Sequence, residues 1–375
     1  MQRIGIFGGS FDPIHYGHLI LAEQIKELSG LDKVIFVPAN INPFKVGHPP
    51  AEGADRMRMT EIAVSGCQGF EVSDIELKRG GPSYTYDTLT ELSDNFRKKG
   101  EDVKLYFILG SDSLKKISAW KKGSELIDSY GLISIYRKGE DPGEIDEEVQ
   151  RIRKIHPNAD IKLFQTPELE ISSNDIREKL RFGQSIKFLT PDSVIEYIDN
   201  NKLYDSITRR LGLFVRENVK PRRYAHTLRV LAKCREYGKR YGVNIEKLEI
   251  AAIFHDAYRD CGNLEHGPLA AEHLEKDFGV TDPEILEAVR YHTIGHAGLS
   301  RLGMVLKLSD TLEDGREFSE APVLRAKLTD DLEESMLLVM ERIKAYVLRS
   351  GDDRFDETSQ AFIDWLRDRL RKRAL

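Results

Sequence analysis

Near its start the chain carries the run Gly8-Gly9-Ser10-Phe11-Asp12-Pro13-Ile14-His15-Tyr16-Gly17-His18. This run determines the fold of the first half of the chain. The apolar residues 4–7 before it predict a buried first strand, and the apolar residues after it recur with the spacing of one helix face. The sequence therefore predicts a strand, a glycine-bearing turn and a helix N-terminus. Backbone N–H groups and the helix dipole make such a turn a site for an anion.

Two histidines stand at the predicted start of this helix. His15 and His18 are three residues apart, so both imidazoles can face the same phosphate. A bare H-x-x-H pair is more often two polar residues at a helix start. The full run of residues 8–18 favours a nucleotide phosphate instead.

Apolar strands and amphipathic helices alternate from residue 1 to about residue 205. Strands are predicted at Arg3–Phe7, Lys33–Pro38, Phe70–Glu76, Lys104–Leu109, Leu132–Arg137 and Ile161–Gln165. Helices are predicted between them, as at Asp55–Val64, Thr85–Phe96 and Glu144–Ile155. This alternation predicts an α/β domain, residues 1–205, with a doubly wound parallel sheet and ligands at the carboxyl ends of its strands. Beyond it only helices are predicted, which indicates an all-α domain at residues 206–375.

Length and composition limit the kinds of partner that we expect for this chain. A chain of 375 residues favours two domains, and its net charge of −6 argues against a nucleic-acid partner. The three cysteines are far apart and lack metal-type pairing, which is typical of a reducing compartment. No leader pattern and no apolar run of membrane-spanning length is present in the sequence. We therefore expect a cytoplasmic protein that does not contact a membrane.

Polar residues after the second and third strands are candidates for the same cleft. Lys45 follows the second strand and could reach a phosphate, although alone it is an ordinary loop residue. Ser83, Tyr84 and Thr85 mark a helix start, where hydroxyl and N–H groups could hold a carboxylate.

Later strands are followed by further candidates. Gly110 and Asp112 come after the fourth strand, where a carboxylate could bind a ribose hydroxyl. Trp120 is of a type more often found in a core, but its ring could also stack on a planar base. Residues 171–177 form a polar helix cap with Arg177 one turn in, which favours a clamp for a triphosphate.

These motifs resemble the nucleotidyltransferase signature, a glycine-Phe-x-Pro turn followed by H-x-G-H. In detail they resemble the nicotinate-nucleotide adenylyltransferases. The resemblance implies a Rossmann-like domain that joins ATP and nicotinate mononucleotide into nicotinate adenine dinucleotide and pyrophosphate, with Mg²⁺. It implies catalytic roles for His15, His18 and Arg177, and nicotinate binding by Ser83–Thr85 and Trp120. The other implied binding residues are Gly8, Gly9, Ser10, Phe11, Lys45, Tyr84, Gly110, Asp112, Ser173 and Asn174. Asn174 stands where the family has a threonine.

The second domain carries histidine and aspartate residues at helix positions. His226 lies within one predicted helix, His255 and Asp256 end the apolar run 250–254, and Asp310 lies on a later helix. A lone histidine on an apolar face is usually a core residue. An adjacent His-Asp pair with a further histidine and aspartate favours a metal instead, and these ligand types suit iron or another divalent transition metal.

This pattern resembles the HD-domain phosphohydrolases, H…HD…D. With His266, His292 and Arg316 it resembles the HD-type symmetrical bis(5'-nucleosyl)-tetraphosphatases. The resemblance implies that His226, His255, Asp256 and Asp310 hold the metal and that Asp256 also serves in catalysis. It implies that the three additional residues bind phosphate or a second metal. The implied substrate is diadenosine tetraphosphate, cut to two ADP.

Other functions stay open at this point. The carboxyl-terminal domain could be a nucleotide sensor that regulates the first, or could act on another nucleotide. The intact set of ligand types argues against a sensor. The first domain could use another acceptor, such as phosphopantetheine, and the residues around Ser83 and Trp120 argue against that.

Overall fold

The structure is a computed structural model that describes residues 1–41, 51–137, 139–166, 169–262, 264–316, 320–350 and 356–373. The chain divides into two compact units. Unit 1 comprises residues 1–179 and 185–204, and unit 2 comprises residues 180–184 and 205–375. The sequence-based boundary after residue 205 stays a prediction of domain organisation, and each unit is described separately below.

Unit 1 is built on a sheet of six strands, all parallel. The strands are β1 (Gln2–Gly9), β2 (Lys33–Pro38), β3 (Phe70–Val72), β4 (Val103–Gly110), β5 (Gly131–Arg137) and β6 (Ile161–Thr166). Their order is β3-β2-β1-β4-β5-β6, the Rossmann order, so the connections reverse direction between β1 and β4. The crevice outside the carboxyl ends of those two strands is where ligands bind in such sheets.

Helices cover the sheet. They are α1 (Tyr16–Ser29), α2 (Gly53–Val64), α3 (Ile75–Arg79), α4 (Thr85–Lys98), α5 (Ser111–Leu114), α6 (Gly123–Ser129), α7 (Pro142–Ile155), α8 (Ser173–Arg181) and α9 (Asp192–Asn200). The predicted parallel α/β architecture is confirmed. Central strand residues such as Ile4, Ile108 and Leu132 are almost fully buried, because a parallel sheet is covered on both faces.

One predicted strand is wrong over half its length. Phe70–Glu76 was expected from its apolar content, but β3 ends at Val72 and the chain turns into α3. As an edge strand, β3 pairs only with β2, over three residues. The carbonyl of Asp74 then accepts from the N–H of Lys78, and its carboxylate lies 2.9 Å from Lys78 Nζ, so this helical turn satisfies groups that a longer edge strand would leave unpaired.

Unit 2 consists of helices, and no strand occurs among its described residues. The helices are α10 (Ile207–Asn218), α11 (Pro221–Tyr241), α12 (Ile245–Phe254), α13 (His266–Lys276), α14 (Pro283–Tyr291), α15 (Arg301–Leu312), α16 (Ala321–Lys327), α17 (Leu332–Ser350) and α18 (Glu357–Arg373). The all-α prediction for this part is confirmed.

Local sequence signals set the ends of the helices that carry the predicted metal ligands. Pro221 opens α11, and Gly242 closes it with φ +66°, a conformation that favours glycine. Asn244 caps α12 and Ser300 caps α15, each accepting from a backbone N–H three residues on. The apolar faces of these helices form one core that includes Leu248, Phe254 and Val305. In the part of the chain that the structure describes, we found no helix of the length and apolar character needed to cross a bilayer.

Candidate active sites

The first site lies at the β1–α1 connection of unit 1. His15 is the N-cap of α1 in extended conformation, and its ring stacks on that of His18 with centroids 3.7 Å apart. The N–H of His15 donates to Nδ1 of His18 at 3.3 Å. Nδ1 of a neutral His18 is therefore the unprotonated nitrogen, and Nε2 carries the proton. This tautomer makes Nε2 a hydrogen-bond donor, as a phosphate requires.

His15 is buried, with 5 % of its surface exposed. Burial lowers the pKa of His15 to about 4, because the charged imidazolium would lose its solvation. The ring is therefore neutral near pH 7. Its Nδ1 has no hydrogen-bond partner among the described residues.

Two glycines make room for these rings. A Cβ at Gly17 would come within 3.0 Å of two ring atoms of His15. A Cβ at Gly9 would come within 2.9 Å of the ring of Phe11, which itself packs edge-on to His18 with centroids 5.0 Å apart. The glycines of the motif thus serve close packing here, in addition to leaving the turn accessible. Gly8 lies beside Gly9 at the end of β1.

The start of α8 is fastened to the same connection. Ser173 Oγ donates to the carbonyl of Pro13 at 2.8 Å, and Arg177 Nη1 donates to the carbonyl of Asp12 at 2.6 Å. Arg177 Nη2 also donates to the side-chain oxygen of Asn174. These contacts bring residues from the two ends of unit 1 together. They also give Asn174 a definite task, to orient the Arg177 guanidinium.

Sequence reasoning missed Arg56 and Tyr204. The Arg56 side chain is 2 % exposed, and its Nη1 donates to the carbonyl of Ser10 at 2.8 Å. Burial lowers the pKa of Arg56, while Asp12, Tyr204 and Glu52 act in the opposite direction. Tyr204 donates from its hydroxyl to Asp12 Oδ1 at 2.7 Å. A single arginine within a helix and a tyrosine far along the chain give no local signal that would reveal these contacts.

The residues predicted to hold the acceptor lie near one another. Ser83 Oγ accepts from the N–H of Asn40 at 2.9 Å, so the start of α4 is tied to the chain that follows β2. Lys121 lies 4.4 Å above the ring of Tyr84 and 2.8 Å from a carboxylate oxygen of Asp87 in the first turn of α4. Trp120 is therefore the sequence neighbour of Lys121, which contacts the start of α4 at Thr85. Its ring packs edge-on to Phe107 of β4 with centroids 6.1 Å apart.

Three further residues of unit 1 were predicted to belong to the site. Gly110 is the last residue of β4, and Asp112 is exposed in the first turn of α5. Both lie at or just beyond the carboxyl end of β4, the strand that borders the crevice beside β1. Lys45 lies outside the described residues.

The second site lies in unit 2 and brings the predicted ligands together. Nε2 of His226 lies 3.0 Å from Asp310 Oδ1 and 3.6 Å from Asp256 Oδ2, and Nε2 of His255 lies 3.6 Å from Asp256 Oδ2. The other oxygen of Asp256, Oδ1, lies 3.1 Å from His266 Nε2 and 3.5 Å from His292 Nε2. Asp256 therefore faces one pair of histidines with each oxygen.

The hydrogen bonds of the ring nitrogens determine the tautomers. Nδ1 of His255 lies 2.8 Å from the carbonyl of Ala252, and Nδ1 of His292 lies 2.7 Å from the carbonyl of Val289. Since a carbonyl only accepts, each of these Nδ1 atoms carries the proton. Nδ1 of His266 lies 2.8 Å from the carbonyl of Gly262, an acceptor, and 3.0 Å from Nη1 of Arg259, a donor, so these two contacts do not assign its tautomer.

The Nε2 lone pairs of His226, His255 and His292 consequently converge on two carboxylates. Nε2 of His266 and His292 face each other at 3.0 Å, and the Nε2 atoms of His226 and His255 are buried without a hydrogen-bond partner among the described residues. Acceptors facing acceptors in a buried site are unfavourable unless a cation lies between them. The same side chains form three overlapping groups whose ligand atoms lie within 4.8 Å of one another. The donor set therefore fits divalent metal ions.

A buried carboxylate that sequence reasoning missed supports the first of these histidines. Glu313, 1 % exposed, places Oε1 3.1 Å from Nδ1 of His226. Arg229 Nε and the N–H of Gly315 both donate to its other oxygen at 2.5 Å. A carboxylate behind a ligand histidine is a recurrent support in metal sites. Its spacing of three residues from Asp310 is a sequence signal that could have indicated it.

Charged groups adjust the ligands further. Arg223 Nη1 lies 2.6 Å from Asp256 Oδ2, and Arg316 Nη2 lies 2.7 Å from Asp310 Oδ1. Burial acts to raise the pKa of Asp256, but the His255 ring and the close contacts with His266 and His292 hold it well below its usual range. Burial likewise acts to raise the pKa of Asp310, but the close His226 ring and Arg316 hold it well below its usual range. Burial lowers the pKa of His255 to about 4, which keeps its ring neutral, as a metal ligand must be.

In comparisons with known proteins, two family models match separate parts of the chain. A cytidylyltransferase-like family model matches residues 6–179, and an HD domain model matches residues 223–315. A Thermoanaerobacter protein described as a probable nicotinate-nucleotide adenylyltransferase is 44 % identical over 202 residues, which cover 54 % of this chain and 94 % of that protein.

Two solved structures resemble parts of the chain. Plasmodium falciparum nicotinic acid mononucleotide adenylyltransferase complexed with NaAD is 26 % identical with a TM-score of 0.45, over 55 % of this chain and 98 % of that one. A predicted HD superfamily hydrolase involved in NAD metabolism, from Clostridium acetobutylicum, is 22 % identical with a TM-score of 0.40, over 43 % of this chain and 96 % of that one.

Proposed function

Since this chain belongs to the nicotinate-nucleotide adenylyltransferase family through its first half, we propose that unit 1 transfers the adenylyl group of ATP to nicotinate mononucleotide. A phosphate oxygen of the mononucleotide attacks the α-phosphorus of ATP in line. The bond to the β-phosphate oxygen breaks, and nicotinate adenine dinucleotide and pyrophosphate leave. The protein's task is to position two anions and to stabilise the charge that develops between them.

The β1–α1 connection is suited to the phosphates of ATP. Gly8, Gly9 and Ser10 present backbone close to the N-terminus of α1, where N–H groups and the helix dipole favour an anion. His18 donates from Nε2, and the stacked, neutral His15 adds no charge of its own but restricts how the His18 ring can turn. The buried Arg56 behind Ser10 adds a positive charge near this loop.

The start of α8 adds the second set of phosphate ligands. Ser173 and Arg177 are held against the chain at residues 12–13, so the guanidinium is oriented before ATP binds. Lys45 and Asp112 complete the proposal, for a phosphate and for a ribose hydroxyl respectively. Mg²⁺ bound with ATP supplies additional charge stabilisation on the phosphates.

The start of α4 is suited to the nicotinate carboxylate. Backbone N–H groups at Ser83–Thr85 favour a negative charge, and the ring of Trp120 offers a planar surface close by. A carboxylate gains from both the N–H groups and the helix dipole, whereas a neutral amide gains little from the dipole. The proposed acceptor is therefore the acid form of the mononucleotide.

A single observation carries this proposal. The start of α8 is hydrogen-bonded to Asp12 and Pro13, just before His15 and His18, which supports one phosphate site built from motifs about 160 residues apart. The test is to incubate the purified chain with ATP and nicotinate mononucleotide and to follow pyrophosphate and dinucleotide. Comparable turnover with phosphopantetheine as acceptor would contradict the proposed substrate.

For unit 2, which contains an HD domain, we propose metal-dependent hydrolysis of diadenosine tetraphosphate to two ADP. The ligands would be His226, His255, Asp256 and Asp310, with His266 and His292 available for a second ion. A divalent ion such as iron bound there supplies an activated water and polarises a phosphoryl oxygen. Water adds at one central phosphorus, the bridging oxygen leaves with the other half, and each half is ADP.

The chain's own groups suit that substrate. Asp256 faces both pairs of histidines, so it would help to hold an ion at either pair or would orient the attacking water. Arg316, with 38 % of its side chain exposed, and Thr293, whose hydroxyl lies 3.2 Å from Nε2 of His266 and of His292, supply donors for phosphate oxygens.

The observation that carries this proposal is the convergence of the Nε2 lone pairs of His226, His255 and His292 on Asp256 and Asp310. The test combines metal analysis of the purified protein with the products formed from diadenosine tetraphosphate. Formation of AMP and ATP would mean an asymmetric cut and would contradict the proposed reaction.

A further inference from the structure

Two arginines hold the carboxylates that the proposed metal would bind. We propose that Arg223 and Arg316 act as substitutes for the cation in the metal-free protein and move to the phosphates of the substrate when metal binds. This inference rests on the proposed phosphohydrolase function of unit 2. It adds Arg223 to the residues that would bind the substrate, and it assigns both arginines a second role toward the carboxylates.

The contacts fall on the oxygens that face the histidines. Arg223 Nη1 lies 2.6 Å from Asp256 Oδ2, the oxygen that His226 and His255 approach at 3.6 Å. Arg316 Nη2 lies 2.7 Å from Asp310 Oδ1, the oxygen that His226 approaches at 3.0 Å. Each guanidinium therefore occupies part of the lone-pair space that one of the carboxylates would offer to a metal.

A guanidinium and a divalent ion cannot both lie beside the same carboxylate oxygen, because both are positively charged. A guanidinium stays protonated throughout the accessible pH range and has no lone pair, so it cannot itself become a metal ligand. A divalent ion between the same carboxylates repels it and takes over its hydrogen-bond acceptors. Metal binding would therefore release one guanidinium group from each of the two carboxylates.

The exposures fit such an exchange. The side chains of Asp256 and Asp310 are 5 % and 19 % exposed, whereas those of Arg223 and Arg316 are 33 % and 38 % exposed. The carboxylates belong to the interior, and the arginines reach them from the solvent side. A released guanidinium on that side is placed to bind phosphate oxygens in bidentate fashion, which suits a polyphosphate lying across the metals.

Arg223→Ala in the full chain tests the inference, with Arg223→Gln as a second, less truncated variant. Arg222→Ala is the matched control, since Arg222 is the neighbouring residue on α11 and is exposed. Calorimetric titration of the metal-free proteins with Mn²⁺ should show roughly three- to tenfold tighter binding for the Arg223 variants, because a competing positive charge is gone. Titration of the Mn²⁺-loaded proteins with ADP should show about 10- to 100-fold weaker binding, the scale of a lost charge-assisted hydrogen bond.

The direction of the change in Mn²⁺ affinity distinguishes this role from a structural one. If Arg223 merely holds Asp256 in position, its removal weakens Mn²⁺ binding, and that result would overturn the proposal. Unchanged ADP affinity in both variants would overturn it as well. Neither measurement depends on hydrolysis, so a unit 2 that proves to act on a different nucleotide would contradict the proposed function and leave this test intact.

Discussion

Glu313 and His226 form a buried pair in which Glu313 Oε1 lies 3.1 Å from Nδ1 of His226. The carboxylate accepts a hydrogen bond from the Nδ1–H group, which leaves the Nε2 lone pair directed at Asp256 and Asp310. The geometry thus fixes both the tautomer and the orientation of one proposed ligand. Arg229 and the N–H of Gly315 hold the carboxylate in turn, so the arrangement does not depend on His226 alone.

The first prediction follows from this pair. Glu313→Ala should weaken Mn²⁺ binding by about 10- to 100-fold, the usual cost of losing such a support. Glu313→Gln should cost less, because its amide oxygen can still accept from Nδ1. Calorimetric titration of the metal-free protein measures both.

A matched control for this prediction exists in the same unit. Glu249 is 2 % exposed and is held by Arg181 at 2.7 Å and Arg235 at 2.6 Å, with no histidine among these partners. Glu249→Gln should lower the free energy of unfolding without changing the Mn²⁺ affinity. Equal losses of metal affinity in the Glu249 and Glu313 variants would mean that general destabilisation, and not support of His226, explains the effect.

The second prediction concerns His18. His18→Ala should lower the kcat of adenylyl transfer by about 100-fold or more, because a donor to the developing charge is lost. His273→Ala serves as the control, since that histidine is paired with Asp277 on α13 of unit 2. Steady-state rates with nicotinate mononucleotide and ATP decide the question, and an unchanged kcat in His18→Ala rules out the proposed role.

The third prediction concerns the charge of the acceptor. If N–H groups at Ser83–Thr85 bind a carboxylate, kcat/KM for nicotinate mononucleotide should exceed that for the neutral nicotinamide form by about tenfold or more, the value of one charge-assisted hydrogen bond. Raising the ionic strength should weaken the preference only modestly, because contacts in a cleft are poorly screened. Equal values of kcat/KM for the two mononucleotides would falsify carboxylate recognition at this helix start.

The fourth prediction is a pH dependence of stability that arises from His15. Its pKa is about 4 in the folded protein and near 6.5 when unfolded, so between those values the unfolded state binds the additional proton. The contribution is complete above pH 6.5 and is lost as the pH falls to 4. On this basis the wild type should lose about 3 kcal/mol more than His15→Asn between pH 7 and pH 4.

Unit 1 can be monitored separately in that experiment. The chain has two tryptophans, Trp120 in unit 1 and Trp365 in unit 2, so a Trp365→Phe background reports the unfolding of unit 1 by fluorescence. Because both proteins keep every other titrating group, the difference between them isolates His15. Parallel stability curves for the two proteins would show that His15 titrates normally.

The sequence predicted the groups whose spacing is local and periodic. The parallel sheet follows from alternating apolar strands and amphipathic helices. His15, His18, His255 and Asp256 stand at the ends of such elements, where a short motif marks them. The strand predicted at residues 70–76 was too long. An edge strand pairs with a neighbour on one side only, so its apolar residues alone do not extend it.

Contacts between distant parts of the chain were not predictable in this way. Arg56 reaches Ser10, Tyr204 reaches Asp12 and Arg223 reaches Asp256 only after folding. A buried arginine within a helix looks like any other helix residue in a sequence, since burial depends on what packs against it. The tautomers of the four histidines likewise depend on carbonyl and carboxylate partners that only the folded chain defines.

The last prediction separates the two activities through Asp256. Asp256→Asn keeps the size of the side chain but removes the charge that would draw metal between the histidine pairs. It should abolish hydrolysis of diadenosine tetraphosphate, because both pairs lose their shared carboxylate. Metal content should fall as well, which can be measured on the purified protein without any assay of activity.

Adenylyl transfer should persist in this variant. Unit 1 has its own phosphate site, formed by His15, His18, Ser173 and Arg177, and none of these residues belongs to unit 2. Loss of both activities together would contradict the assignment of two separate sites. If Asp256→Asn lacks metal but the wild type, fully loaded, binds diadenosine tetraphosphate tightly and leaves it intact, unit 2 senses the nucleotide. Two ADP from the wild type and none from the variant, at equal rates of dinucleotide synthesis, is the outcome that the geometry of Asp256 predicts.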